Sequence, residues 1–395
     1  MAVTEKQYAG PILLERGYRT FFLGAGIFAG FAIPLWIVAL KTGMEIPTNF
    51  SARDYHIHEM VFGYLSAVIA GFLFTALPNW TGRPAIDGWR LAFLSALWVC
   101  GRVAVITSAS WPMAAAMIDA SFLLVVAAVV WREVLAGGSI RNVPICLMVS
   151  LVALANVTYY IVQLSGADTA WVERMALGVI TLLIALVGGR VIPNFSSNWM
   201  KQNKISPLSI PFSLFDKMAL LVTLITIVVW VVTPDVEFTG YLFSMLFVVH
   251  CVRMFRWRGW QTFREPLVLI LHVGYMWLPI WFGLTGLAIL APDMFSTSSA
   301  LHALTAGTIG MMPLAIMTRA ILGHSGRKLT ADRATQLIYA LIFCGAFLRV
   351  FAETLPFDYL SVVTASGTLW AGGFVLFVFV YGRYCLSEKL GSWTD

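Results

Sequence analysis

The sequence is poor in charged residues and lacks the common cysteine motifs. Only 12% of its 395 residues are charged and 59% are hydrophobic, whereas about a quarter of the residues in a soluble globular protein are charged. The five cysteines form neither C-x-x-C nor C-x-x-C-H, which argues against a disulfide framework, a zinc finger and covalent haem attachment. The composition therefore indicates a protein that is embedded in lipid.

Apolar segments recur along the whole chain, each long enough to cross a hydrocarbon layer of about 30 Å. We predict an all-α bundle of about twelve transmembrane helices over the spans 18–40, 57–78, 89–107, 112–131, 143–165, 172–193, 213–233, 238–256, 267–290, 299–322, 333–353 and 359–385. The longest polar stretch, 194–212, is predicted to be a connector. No soluble domain fits between the spans, so residues 1–395 are predicted to form one integral membrane domain. The first span lacks a cleavage pattern behind it and is predicted to be retained.

The distribution of Lys and Arg predicts the orientation of the bundle. With the N-terminus in the cytoplasm, every Lys and Arg falls at a cytoplasmic helix end except Lys41, Arg53, Arg102, Arg174 and Arg349. Positive charges concentrate on the cytoplasmic side of membrane proteins, so both termini are predicted to be cytoplasmic. This topology also accounts for the net charge of +6, and we do not expect nucleic acid as a partner.

The chain contains a candidate internal repeat. Shifting 58–112 by 244 positions aligns it with 302–356 without a gap, and the identical pairs include His58/His302, Gly63/Gly307, Gly82/Gly326, Arg83/Arg327, Cys100/Cys344, Gly101/Gly345 and Pro112/Pro356. A shift of 115 maps the second span onto the sixth, with Glu173 in the place of the histidines. The hypothesis is three parallel units of about four helices, beginning near 58, 173 and 302. Chance matching among apolar helices is the alternative.

Histidine is scarce, and the predicted topology sorts the six residues into two groups. The outer group is His56, His58 and His302, and the inner group is His250, His272 and His324. A polar ring in hydrocarbon is costly unless it is satisfied, and neutral imidazole is a good ligand for iron, copper and zinc. We therefore predict cofactor sites at these residues. The alternative is that a histidine only hydrogen-bonds a neighbouring helix.

The string H-I-H-E at 56–59 opens the second predicted span. His56 and His58 project from opposite sides of a helix, so they share a metal only if the helix begins between them. Glu59 either fixes a histidine tautomer by accepting a hydrogen bond or lies at the helix N-terminus, where negative charge is favourable. We favour the N-terminal role for Glu59.

Four arginines lie within spans or at their ends. Arg102 and Arg349 fall in the outer halves of the third and eleventh spans, where each guanidinium needs an anionic partner such as Asp119, Glu353 or a haem propionate. Arg190 and Arg319 end the sixth and tenth spans at the same repeat position. For this second pair we favour ordinary anchoring at the cytoplasmic face over contact with a cofactor.

Six segments resemble a known family, the NnrS proteins. They are H-I-H-E-M-V-F-G-Y (56–64), F-L-F-T-A-L-P-N-W-T-G (72–82), G-G-R-V-I-P-N-F (188–195), L-H-V-G-Y-M-W-L-P (271–279), H-A-L-T-A-G-T-I-G (302–310) and T-R-A-I-L-G-H-S-G-R (318–327). The resemblance implies a bacterial cytoplasmic-membrane protein that contains haem and copper and takes part in the response to nitric oxide. Family members are associated with limiting nitrosyl iron in cells. All the histidines except His250 stand in these motifs.

Two non-covalent cofactors, haem b and copper, are expected from the resemblance and the histidine groups. Haem b is expected within reach of His272, and the further candidate cofactor contacts are His250, His324, Arg102, Arg190, Arg319 and Arg349. Copper or a second haem is expected at His56, His58 and His302. The two groups should lie on the order of 20–30 Å apart, so one metal centre cannot span both. No catalytic residue is assigned, and turnover of nitric oxide and the oligomeric state stay open.

Two other classes of function compete with this hypothesis. A haem–copper reductase of the oxidase superfamily also has about twelve helices and six histidines, but it carries an adjacent His-His pair that this sequence lacks. A secondary transporter for a small nitrogen compound or a metal chelate fits the helix count and the repeat. Such a transporter needs acidic residues inside the membrane to relay protons. The sequence offers few, of which Asp119 is the most plausible, and this weakens the transporter hypothesis.

Overall fold

The computed structural model describes residues 8–390, and within that range it contains helices and no strand. Twelve helices are long and apolar enough to cross a membrane, numbered here from α1 to α12: Gly17–Thr42, Ala52–Thr81, Gly88–Ile106, Pro112–Ala136, Ile140–Leu164, Ala170–Gln202, Leu214–Val232, Glu237–Trp257, Pro266–Leu290, Thr297–His324, Arg333–Val350 and Tyr359–Cys385. In lipid every backbone polar group must be bonded within its own segment, which is why apolar runs of this length fold as helices. The predicted all-α fold and the number of spans are confirmed.

The orientation of the termini stays a prediction. Lys6, which counted towards it, lies outside the described residues.

Helix α2 begins five positions earlier than predicted, at Ala52. The Ser51 hydroxyl accepts a hydrogen bond from the backbone N–H of Asp54 at 3.1 Å, which satisfies one of the free N–H groups of the first turn. Asp54 also places a negative charge in that turn, where the helix dipole favours it. The apolar run alone gave no indication of this polar first turn.

Helix α6 continues to Gln202, so the prediction that 194–212 is a connector is wrong for its first half. Pro193 lies inside the helix, and a membrane helix tolerates proline when neighbouring helices supply the lost contacts. Beyond it, Ser196 and Met200 stay buried and continue a stripe that includes Ile192. A buried residue every fourth position is the spacing of a helix face, which explains why the helix persists.

Helices α2 and α10 share an unusual feature. Each contains a six-residue π-helical stretch directly after its paired histidine, at Glu59–Tyr64 and Ala303–Thr308. The shift of 244 maps one stretch onto the other, and both helices are followed by a left-handed glycine, Gly82 (φ 66°) and Gly326 (φ 72°). Helix α6 has no such stretch in its described residues. The internal repeat, with its three proposed units, stays a prediction.

The widened turns leave backbone carbonyls that neighbouring side chains satisfy. The Trp98 indole N–H and the Ser66 hydroxyl each donate to the Gly63 carbonyl at 2.9 Å. In α10, the Trp370 indole N–H donates to the Ala306 carbonyl at 3.1 Å. A buried carbonyl without a partner is costly, so these donors stabilise the π-helical stretches.

The chain divides into two compact units. The first consists of Met1–Ala176, Ala320–Arg327 and Phe377–Asp395, and the second of Leu177–Arg319 and Lys328–Leu376. The first unit therefore carries His56, His58 and His324, and the second carries His250, His272 and His302. The most buried of the twelve helices are α2, α6, α9 and α10. Five of the six histidines lie on α2, α9 and α10, and α6 contributes a contact of His272.

Candidate functional site

A network of buried ionic side chains lies inside the first unit. Arg102 on α3 forms ion pairs with Glu59 on α2 and Asp119 on α4, and all three side chains are buried. Asp119 also accepts hydrogen bonds from the Asn156 amide at 3.0 Å and the Tyr160 hydroxyl at 3.1 Å. The predicted pairing of Arg102 with Asp119 is confirmed, and Asp119 is fully engaged by donors.

His58 is part of the same network. Its Nδ1 lies 3.1 Å from Glu59 Oε1, and its Nε2 lies 3.1 Å from Asn156 Oδ1 and 3.3 Å from Asp119 Oδ2. Both ring nitrogens are thus engaged by acceptor oxygens, and neither directs a lone pair towards a metal. The N-terminal role that we favoured for Glu59 is wrong, because α2 begins at Ala52 and Glu59 is a buried hydrogen-bonding partner of His58.

His56 points away from this network. Its ring stacks on Trp36 of α1, with the ring centroids 4.3 Å apart. Because α2 begins before both histidines, the condition for His56 and His58 to share one metal is not met.

A second buried network surrounds His250 in the second unit. Its Nε2 lies 3.0 Å from the Thr223 hydroxyl and its Nδ1 lies 3.0 Å from the Tyr275 hydroxyl. Arg253 donates to that hydroxyl and to Asp216, both at 2.8 Å. Both nitrogens of His250 are therefore engaged. The distribution of Lys and Arg treats Arg253 only as a cytoplasmic helix-end residue. The signal for its role is its place in the sequence, about one turn inside the end of its predicted span.

His302 and Arg349 meet at Ser298 in the second unit. The His302 Nδ1 lies 2.7 Å from the backbone carbonyl of Ser298. A carbonyl only accepts, so Nδ1 carries the proton and Nε2 carries the lone pair, as in a metal-binding histidine. The Arg349 Nη2 donates to the Ser298 hydroxyl at 3.4 Å, while the buried Nε and Nη1 have no hydrogen-bond partner in the described part of the chain. No carboxylate of residues 8–390 pairs with this guanidinium, so the suggested Glu353 partner is not seen.

His272 and Arg319 contact consecutive residues of α6. The buried His272 has its Nε2 at 2.8 Å from the Ser196 hydroxyl, and the Arg319 guanidinium lies 4.0 Å from the ring centroid of Phe195. Arg190, the other arginine of this predicted pair, lies 5.7 Å from the ring centroid of Phe212. Arg319 and His272 therefore contact neighbouring residues of the same helix, and Arg190 packs on a loop aromatic.

His324 ends α10 in the first unit, where its ring stacks on Tyr18 at 5.5 Å. It lines a cavity of about 160 Å³. Pockets that enclose a drug-sized ligand measure about 300–1,000 Å³, so this cavity does not fit a haem.

The donor set favours some cofactors over others. Within the described residues, no group of three or more His, Cys, Asp or Glu side chains is arranged to hold a metal ion. A haem needs fewer protein side chains than a metal ion held by three or more ligands: one or two for its iron and a cationic partner for its propionates. His302 in its ligand tautomer and Arg349 with unpartnered N–H groups fit that requirement.

Comparison with known proteins gives one family. A family model described as NnrS protein matches residues 12–389, which is nearly the whole chain and includes every histidine. No curated protein matches the chain significantly.

Proposed function

This chain belongs to the NnrS family, and from that premise we propose that it binds haem b and copper as a membrane protein of the nitric oxide response. Family membership supports the nitric oxide response, and the twelve candidate spanning helices support a multi-pass membrane protein. We further propose that the protein lies in the bacterial cytoplasmic membrane and that its ligand is nitric oxide or a nitrosyl-iron species.

The observation that carries the proposal is the buried guanidinium of Arg349. Its Nε and Nη1 have no partner within the described residues, and the residue is 8% exposed. An unsatisfied buried donor costs about 1–3 kcal/mol, and more when it is charged. An anionic group bound beside it would remove that cost, and a haem propionate is such a group.

The residues of this position have distinct roles in the proposal. When bound, haem would supply an iron that can bind nitric oxide. His302 would hold the haem iron, with its tautomer fixed by the Ser298 carbonyl. Arg349 would neutralise and orient a propionate. The hydroxyl of Ser299, which is buried without a hydrogen-bond partner in the described chain, is a further polar group at this position.

A second position is proposed at His272 and Arg319, for the other cofactor, either haem or copper. Positions 302 and 319 of α10 are roughly 25 Å apart at about 1.5 Å per residue, so one cofactor cannot serve both positions. This agrees with the expectation of two separate centres.

The remaining candidate ligands stay predictions. His58 and His250 would first have to release the hydrogen bonds that engage both their nitrogens. The same holds for Arg102, whose guanidinium is already paired with two carboxylates. His56, His324 and Arg190 have no observed partner that points to haem or copper.

The test is the haem spectrum and the metal content of the purified protein. Protein from haem-sufficient cells is expected to show a b-type Soret band that shifts on reduction and again on addition of nitric oxide. His302→Ala is expected to remove one cofactor and His272→Ala the other, while Arg349→Gln weakens haem retention. Arg132→Gln is the matched control, because Arg132 is 63% exposed.

Two outcomes would reject the proposal. A colourless, copper-free preparation would remove the haem and copper hypothesis and favour the transporter class. If His302→Ala and His272→Ala abolish the same single cofactor and leave another intact, the two-centre arrangement is wrong. Both variants are first checked for normal membrane insertion.

A further inference from the structure

A small cavity opens in the first unit where several helices end. Its wall comes from the start of α1, the end of α2, the last residue of α10 and the segment after α12, and includes Glu15, Arg16, Arg19, Asn79, His324 and Lys389. Its volume is about 160 Å³. A space of this size holds a group of several heavy atoms, since a single water needs only about 10–15 Å³ by the same measure.

Positive charge predominates in the lining. Arg16, Arg19 and Lys389 are cationic, and Glu15 is the one carboxylate among the described lining residues. Glu15 pairs with Arg19 at 3.1 Å, and Arg19 also donates to three backbone carbonyls at the end of α12. Arg19 is thus fixed as part of the wall, and the described lining residues together carry more positive than negative charge.

The uncharged part of the wall is also suited to an anion. The His324 ring is held flat against Tyr18, with an interplanar angle of 24°, and its polar edge makes no hydrogen bond in the described structure. Asn79 adds an exposed amide. Ammonium, guanidinium, amide and imidazole groups are the donors that bind phosphate oxygens in proteins.

The cavity lies among the ends of several spanning helices. Arg16 immediately precedes α1, Asn79 lies near the end of α2, and His324 is the last residue of α10. Helix ends meet the polar headgroup region of a bilayer. The predicted orientation puts this end in the cytoplasmic leaflet, whose anionic lipids attract basic segments.

We propose that this cavity binds a phosphate group, carried either by an anionic phospholipid headgroup or by a soluble phosphate ester. The volume suits one phosphate and is too small for a porphyrin. The site is independent of the proposed cofactor positions, because its lining belongs to the first unit and His302, Arg349, His272 and Arg319 belong to the second.

The experiment compares phospholipid and phosphate binding in the full-length protein. Wild type, the double variant Arg16→Gln/Lys389→Gln and the control Lys41→Gln are reconstituted in phosphatidylcholine nanodiscs with and without phosphatidylglycerol. Native mass spectrometry counts the retained phosphatidylglycerol. Lys41 is an exposed basic residue at the other end of α1. Two lost surface charges at about 1 kcal/mol each should weaken retention by about tenfold or more, and the control should retain it fully.

A parallel arm measures the thermal shift caused by inorganic phosphate against chloride at equal ionic strength. A loss of phosphatidylglycerol retention in the double variant alone assigns the site to a headgroup. A phosphate-specific shift that the double variant loses assigns it to a soluble ligand. Arg19 is left unchanged, because it holds the end of α12. If the double variant matches wild type and control in both arms, the proposal is overturned.

Discussion

Replacing Arg102 with methionine is expected to destabilise the first unit strongly. The guanidinium is 8% exposed and pairs with Glu59 and Asp119, whose side chains are 1% exposed. Methionine keeps most of the apolar length of the side chain, so the change removes the charge without leaving a large cavity. Two carboxylates then stay in a low-dielectric interior without their cationic partner.

The size of the effect follows from burial. Removing one partner of a buried ion pair costs about 3–5 kcal/mol, because it leaves an uncompensated charge. The two charged hydrogen bonds of Arg102, each worth about 1.5–3 kcal/mol, together give a similar figure of about 3–6 kcal/mol. The pair between Arg132 and Glu133 spans 3.8 Å with Arg132 63% exposed, so Arg132→Gln should cost about 0–1 kcal/mol.

The assay is unfolding of the purified protein by SDS in mixed micelles, followed by tryptophan fluorescence. The triple variant Arg102→Met/Glu59→Gln/Asp119→Asn should be more stable than Arg102→Met alone, because it leaves no unpaired charge. The reasoning is refuted if Arg102→Met loses no more free energy of unfolding than Arg132→Gln. It is also refuted if the triple variant is less stable than the single one.

Two further pairs of substitutions test topology and packing. With the native cysteines replaced by serine, Thr48→Cys should react with an impermeant thiol reagent in whole cells and Asn203→Cys should not, because Lys and Arg place these loops on opposite sides. The reverse labelling would invert the topology. Gly63→Ala should destabilise, since a Cβ there would lie 3.1 Å from Phe28 as well as against a buried guanidinium. Gly372→Ala meets nothing within 4 Å and should stabilise α12 by about 0.5–1 kcal/mol; equal unfolding midpoints would contradict this.

The twelve helices could be predicted from the sequence because each apolar run is by itself sufficient to indicate a spanning helix. A bilayer sets the length of a span, and the backbone must bond internally. The exceptions were polar helical turns. The first turn of α2 is stabilised by Ser51 and Asp54, and the last turns of α6 by the burial of Ser196 and Met200. Hydropathy registers neither effect, since one is a local hydrogen bond and the other depends on neighbouring helices.

The candidate site was predictable only in part. A charged residue inside a span indicates a partner of opposite charge, and the ion pair between Arg102 and Asp119 confirms this. The same reasoning picked out Arg349, whose guanidinium lacks a carboxylate partner in the described chain. Which histidines are already satisfied could not be predicted, because most of the oxygen atoms around His58 and all of those around His250 come from other helices. The spacing of α-helical residues also gives no warning of a π-helical stretch.

Each π-helical stretch determines how the helical segment before it is rotated, about the helix axis, relative to the segment after it. An α-helix turns by about 100° per residue, and a wider turn accommodates an extra residue. Everything before the stretch is therefore rotated by about that angle relative to everything after it. In α2 the half that ends at His58 can face its polar partners while Leu65–Thr81 keeps its own packing direction. The two segments of one continuous helix can therefore face different directions. Deleting one residue within the stretch would rotate one segment relative to the other by about the angle of one residue.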